Sequence, residues 1–276
     1  MAEPGIASEP VTGIVIVASL TKQFGSRLAV NQISFAIAQG EVFGLVGPNG
    51  AGKTTTVRML ATLIPPTAGS ASIHGFDIRK QPTQVRRYIG YVPQALSADG
   101  DLTGYENLLI FAKLIGIPPA ERSKQIEEIL AVMELTDAAH TRVKQYSGGM
   151  VRRLEIGQAM LMRPSVLFLD EPTVGLDPVA RGTVWELLHS FRQQYPLSIL
   201  ITTHYMEEAE ALCDRVAIMN HGRIVALGSP GKLKAATGQP GATLEDAFRF
   251  FTGGDYEEEA NYNELKRTRK IARRLG

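Results

Sequence analysis

Between the apolar run Val42 to Val46 and a helical pattern from Gly52 to Ala61 lies Gly47-Pro48-Asn49-Gly50-Ala51-Gly52-Lys53-Thr54, followed by Thr55. A buried strand, a glycine-rich turn and a helix in that order constrain this chain more than any other feature. Such a turn aims successive backbone N–H groups at an anion beside the helix N-terminus, and a lysine there adds positive charge. Gly47, Gly50 and Gly52 permit the close backbone approach that a side chain would block. Lys53 reaches the outer phosphates and Thr54 offers a hydroxyl to magnesium. The implication is a nucleoside triphosphate bound on an α/β fold. No Asn-Lys-x-Asp guanine-reading motif occurs, which favours ATP over GTP.

A second glycine-rich turn, Tyr146-Ser147-Gly148-Gly149-Met150, opens another helical pattern that runs to Leu161. It offers unpaired N–H groups and a hydroxyl with no cation of its own. The chain thus carries two phosphate-binding half-sites but one lysine loop, so the second nucleotide-binding subunit is expected from another molecule. Shortly afterwards the apolar run Val166 to Leu169 ends in Asp170-Glu171. Adjacent carboxylates at the end of so apolar a strand repel unless a cation and hydrogen bonds compensate, and magnesium is the natural compensator. A helix-capping aspartate beside a solvated glutamate is the plainer alternative.

These motifs together resemble the ATP-binding subunit of an ABC transporter, over about Ile14 to Phe251. Asp101-Leu-Thr-Gly-Tyr-Glu-Asn107, the Tyr-Ser-Gly-Gly-Met turn and Thr173-Val-Gly-Leu-Asp177 resemble its efflux branch, which includes antibiotic-resistance ATPases. The resemblance implies an α/β P-loop NTPase core with a parallel sheet, an N-terminal antiparallel β subdomain and an inserted helical subdomain. It implies two subunits facing head to tail, each ATP held between the lysine loop of one and Ser147-Gly148-Gly149 of the other. Asp170 would then support magnesium with Thr54 and Gln94, while Glu171 polarises the attacking water. Gln94 would also hinge the helical subdomain, and His204 would contact the γ-phosphate. Asp177 would cross the dimer interface and Phe24 would stack on adenine. Without the resemblance, Gln94 is a lone loop glutamine and His204 a capping or buried histidine. Asp177 is then a helix cap before Pro178, and Phe24 a core residue beside a turn. Two departures stand out: Tyr146 and Met150 replace the commoner Leu and Gln, and Gln158 replaces a basic residue.

The expected function is an ATPase at the cytoplasmic face of the cell membrane, a homodimer around two Mg-ATP that drives an integral membrane permease for export. Rivals are an importer's energising subunit, a soluble non-transport ABC ATPase, and a regulator that holds ATP without turnover. The net charge of +1 offers no electrostatic case for nucleic acid. No apolar run approaches the ~18 to 20 residues that cross a bilayer, so a pore must come from another chain. The single cysteine, Cys213, excludes an internal disulfide and reads as a small packed residue.

Residues 1–12 are expected to be a disordered lead-in rather than a secretion signal, 13–252 the ATP-binding domain, and 253–276 a charged tail. In that tail an acidic cluster, Asp255 to Glu259, precedes Lys266, Arg267, Arg269, Lys270, Arg273 and Arg274, read as a solvated or disordered end, with contact to anionic lipid or a permease as the alternative. Strands are expected at Ile14 to Ser19, Ile33 to Ile37, Ser70 to Ile73 and Ile89 to Val92, the last two joining the earliest in an antiparallel sheet. Helical periodicity from Thr103 to Met133, with a capping box at Thr103-Gly-Tyr-Glu106 and a break at Pro118-Pro119, marks an inserted helical subdomain at about 95–164. Val166 to Asp170, Ser198 to Thr202 and Val216 to Met219 read as buried parallel strands. His221-Gly222 turns the chain back into Arg223 to Leu227, and Thr243 to Phe251 closes the domain as a short helix.

Overall fold

The computed structural model describes residues 13–253, so the lead-in 1–12 and the tail beyond Gly253 lie outside the described residues. The chain opens with β1 (Val15–Phe24) and β2 (Arg27–Ile37), antiparallel partners joined at the Gly25 turn. Both run further than the sequence pattern predicts. Register shifts between Val17 and Gln23 interrupt the in-and-out alternation on which a strand reading depends, while pairing continues past them.

Next come β3 (Val42–Val46), α1 (Lys53–Leu60), β4 (Ala68–Ile73), β5 (Phe76–Asp77), α2 (Pro82–Val85) and β6 (Ile89–Val92). A helical stretch follows, comprising α3 (Gly104–Leu114), α4 (Pro119–Val132) and α5 (Gly148–Met160). The chain then alternates β7 (Val166–Asp170), α6 (Pro178–Gln194), β8 (Ser198–Thr203), α7 (Met206–Leu212) and β9 (Arg215–Asn220). It closes with β10 (Arg223–Gly228), α8 (Pro230–Ala235) and α9 (Leu244–Thr252).

Among the described residues the strands form two sheets, one in the order β2-β1-β4-β5 and one in the order β10-β9-β3-β8-β7-β6. The first is antiparallel. The second is parallel except for the β9–β10 hairpin. This corrects one expectation. β6 does not join the N-terminal antiparallel sheet; it is an outer strand of the large sheet, parallel to β7 from Ile89↔Val166 to Val92↔Leu169. It is covered on both faces, with Ile89 in one core and Val92 in the other. A Cβ on Gly90 would lie 2.9 Å from Leu167 Cδ1 and 3.0 Å from the Ala159 carbonyl oxygen, so only glycine lets β6 pack this closely.

The large sheet divides two cores by the two-residue period of its strands. Val42, Val46, Leu167, Leu169, Ile199, Ile201, Val216 and Ile218 face the core shared with α3 to α9. The alternate residues Phe43, Leu45, Val166, Phe168, Leu200, Ala217 and Met219 face the core shared with β1, β2 and α1. Helix starts follow their caps: Thr103 and Glu106 form a reciprocal capping box on α3, and Ser147 caps α5 by accepting from Met150 N.

Candidate nucleotide site

Parallel topology puts the carboxyl ends of β3, β8, β7 and β6 side by side at one edge of the sheet, where open α/β folds gather ligand-contacting loops. Gly47 to Gly52 leaves β3, Glu171 leaves β7, His204 leaves β8, and Gln94 follows β6. The glycines of the first loop are required. A Cβ on Gly47 would sit 2.1 Å from the Met219 carbonyl oxygen, and one on Gly52, at φ +107°, would sit 2.5 Å from that of Ala29. No side chain fits either position. The loop is therefore wedged between β2 and β9.

A cleft of about 380 Å³ lies above it, lined by Phe24, Arg27, Ala29, Asn49, Gly50, Gly52, Lys53, Thr54, Thr55, Gln94 and Glu171. That volume is in the usual range for a small-molecule site. Lys53, buried, donates to the carbonyls of Gly47 at 2.7 Å and Pro48 at 3.0 Å and pairs with Glu171 Oε1 at 3.2 Å. Burial lowers the Lys53 pKa, and the carboxylates of Glu171 and Asp170 only partly offset this. Glu171 Oε2 accepts from Gln94 Nε2 at 3.1 Å and lies 3.3 Å from His204 Nδ1. Burial alone would raise the Glu171 pKa, but His204 and Lys53 together hold it below the usual carboxylate value. Glu171 is thus an anion poised at the cleft.

Asp170 accepts from Thr54 Oγ1 at 2.9 Å and from Thr202 Oγ1 at 2.7 Å, both on Oδ1. Its Oδ2 is buried with no hydrogen-bond partner among the described residues. An orphaned carboxylate oxygen beside a threonine hydroxyl fits a hard cation such as Mg²⁺. No group of three or more His, Cys, Asp or Glu that could hold a metal occurs among the described residues, so water or phosphate oxygens would have to supply the remaining ligands.

The structure brings Phe24, Gly47 to Thr55, Gln94, Asp170, Glu171 and His204 to one region, and the lining of its cleft does not include the second glycine-rich turn. Ser147, Gly148 and Gly149 instead adjoin the Asp177 loop: a Cβ on Gly148 would be 3.3 Å from Leu176 Cδ2, and one on Gly149 would be 2.9 Å from Ala180 Cβ. Asp177 caps α6, accepting from Val179 N and Ala180 N ahead of Pro178. The capping reading of Asp177 therefore holds. The core reading of Phe24 does not, because its ring is 49% exposed at the cleft, with Lys22 Nζ 5.0 Å from its centroid.

Sequence reasoning missed Arg27, Ala29 and Thr202. Arg27 and Ala29 are placed by the β1–β2 hairpin, and Thr202 binds Asp170 while its Oγ1 accepts from Glu171 N at 3.0 Å. Its signal was available, since Thr202 and Thr203 are polar residues ending a buried apolar strand, immediately before His204.

The fold and cleft define a P-loop nucleotide-binding protein. The model of the ABC transporter family matches residues 30–174. The doxorubicin resistance ATP-binding protein DrrA of Mycobacterium tuberculosis is 43% identical over 226 residues, 81% of this chain and 68% of that protein. The Nod factor export ATP-binding protein I of Ralstonia nicotianae is 43% identical over 230 residues, covering 83% and 70%. The linearmycin resistance ATP-binding protein LnrL of Bacillus subtilis is 38% identical over 220 residues, covering 80% and 70%. A solved structure of the ATP binding subunit of an ABC transporter superposes with TM-score 0.76 at 29% identity, covering 87% of this chain and 99% of that one. This chain belongs to the ABC transporter family, as an ATP-binding subunit that hydrolyses ATP. Among the described residues no helix is long and apolar enough to cross a membrane.

Proposed function

We propose that this chain is the ATPase subunit of an exporter. Two identical copies close around two Mg-ATP at the cytoplasmic face of the membrane and drive a separate integral permease. The observation that carries the chemistry is the Glu171 carboxylate, placed at the cleft 3.1 Å from Gln94 Nε2, 3.2 Å from Lys53 Nζ and 3.3 Å from His204 Nδ1. Export is supported by relatives whose names refer to drug resistance and Nod factor export.

In this reading Phe24 stacks on adenine, and the N–H groups of Gly47 to Thr55, Pro48 excepted, with Lys53, cradle the phosphates. Thr54, Asp170 and Gln94 would hold Mg²⁺, which supplies charge neutralisation on the phosphates. Glu171 accepts a proton from the water that attacks the γ-phosphorus, the bond to the β–γ bridging oxygen breaks, and ADP and phosphate leave. His204 orients Glu171 and meets the γ-phosphate. Ser147, Gly148 and Gly149, with Asp177, act on the partner copy's ATP. We take 13–252 as the ATP-binding domain, with the helical subdomain at about 95–164, and the +1 net charge gives no reason to add nucleic acid as a partner.

Glu171→Gln tests this reading. It should keep ATP binding, trap an ATP-bound dimer, and lower hydrolysis by about two to four orders of magnitude. Near-normal turnover by the purified variant would remove Glu171 from the water-activating role.

A further inference from the structure

Arg152 and Glu155 are charged residues on α5 whose side chains are each 2% exposed, and they are paired through Nη1 and Oε2 at 3.0 Å. Their remaining bonds go almost entirely to one loop. Arg152 donates through Nη1 to the Pro93 carbonyl at 2.7 Å and through Nη2 to the Gln94 carbonyl at 2.9 Å. The second carboxylate oxygen of Glu155, Oε1, accepts from Ser97 N, from Ser97 Oγ at 3.2 Å and from Ala98 N at 3.3 Å. The loop from Pro93 to Ala98, which links β6 to α3, is thus bound at both ends to a single pair of side chains.

A buried ion pair generally adds little stability over apolar residues of similar volume, so burial of these two charges needs another account. Their geometry supplies one. Gln94 projects its amide to Glu171 at 3.1 Å from a loop whose other residues from Ala95 to Ser97 are exposed. Without a tether such a loop samples many conformations, and only a few of them put the amide at the carboxylate. We propose that Arg152 and Glu155 are positioning residues that hold Gln94 in reach of Glu171. They do so by making the Pro93–Ala98 loop and α5 one rigid body. Because α5 begins at Ser147, the same tie sets the spacing between Gln94 and the second phosphate turn within each copy. The inference rests on the ATPase reading of the Glu171 cleft.

The test replaces both charges together, Arg152→Met with Glu155→Leu, which leaves no unpaired buried charge. The purified double variant should melt within a few degrees of the wild type and keep its KM for ATP within about threefold, while kcat falls roughly ten- to a hundredfold as positioning is lost. In a Gln94→Ala background the same double substitution should change kcat by less than about twofold, since it acts through Gln94. An unchanged kcat in the double variant would overturn the proposal, and so would a loss that multiplies on top of Gln94→Ala. If Gln94→Ala is itself fully active while the double variant is impaired, Gln94 is not the group being positioned, and the proposal fails with the ATPase reading intact. Near-normal turnover by Glu171→Gln would instead count against that reading.

Discussion

Glu171 sits at φ +49°, a left-handed backbone conformation that non-glycine residues adopt rarely. Its N–H is fixed there by the carbonyl and hydroxyl of Thr202, both at 3.0 Å. Strain of this kind persists where the surroundings over-determine it, and here it turns the carboxylate off the end of β7 toward Lys53 and His204. Thr202→Val removes the hydroxyl shared by Asp170 and Glu171, so it should lower stability by about 1 to 3 kcal/mol and reduce turnover as well. Denaturant unfolding and steady-state ATPase assays check the two effects separately. Phe24→Ala tests a residue of the opposite kind. Its half-exposed ring supports little of the core, so the variant should melt as the wild type while its Kd for ATP rises roughly fivefold to a hundredfold. Unchanged affinity, measured by calorimetry, would exclude stacking on adenine. Cys213 is 8% exposed and burial pushes its thiol pKa far up, so maleimide should label it only when the protein unfolds.

At the scale of elements, the site depends on how closely β6 approaches β7, because Gln94 follows β6. Gly90→Ala would press a methyl into Leu167, Ala159 and Pro164 and should destabilise by about 1 to 3 kcal/mol. A melting temperature within a degree of the wild type would show that β6 yields more easily than its packing implies. This strand also marks what the sequence leaves hidden. The lysine loop, Asp170-Glu171, the α3 capping box and the long apolar strands are legible, because each is a local pattern of glycine, charge or period. The sheet to which Ile89 to Val92 belongs is not local. Four residues with a glycine suit either sheet, and long-range packing on α5 and β7 decides between them. Arg152 and Glu155 were equally hidden. No local pattern marks them, and only the fold brings the loop more than fifty residues upstream onto them.

At the scale of the whole molecule, the described residues present a lysine cleft and, apart from it, a Ser147 turn packed beside the Asp177 loop. The lining of that cleft does not include residues 147–149, and each group is proposed to serve the ATP of the facing copy. Two inactive variants should therefore rescue each other. In a mixed dimer of Lys53→Ala and Ser147→Arg subunits, the intact lysine loop of the second faces the intact serine turn of the first. Random exchange makes half the dimers mixed, each with one intact site of two, so ATPase activity should recover to roughly a quarter of the wild type if the sites act independently. Activity is measured after exchanging the two purified variants under native conditions, with the permease present if the isolated subunit is inactive. Recovery toward that level is the result this account predicts; none, despite demonstrated mixed dimers and a wild-type control able to work with one site, would contradict it.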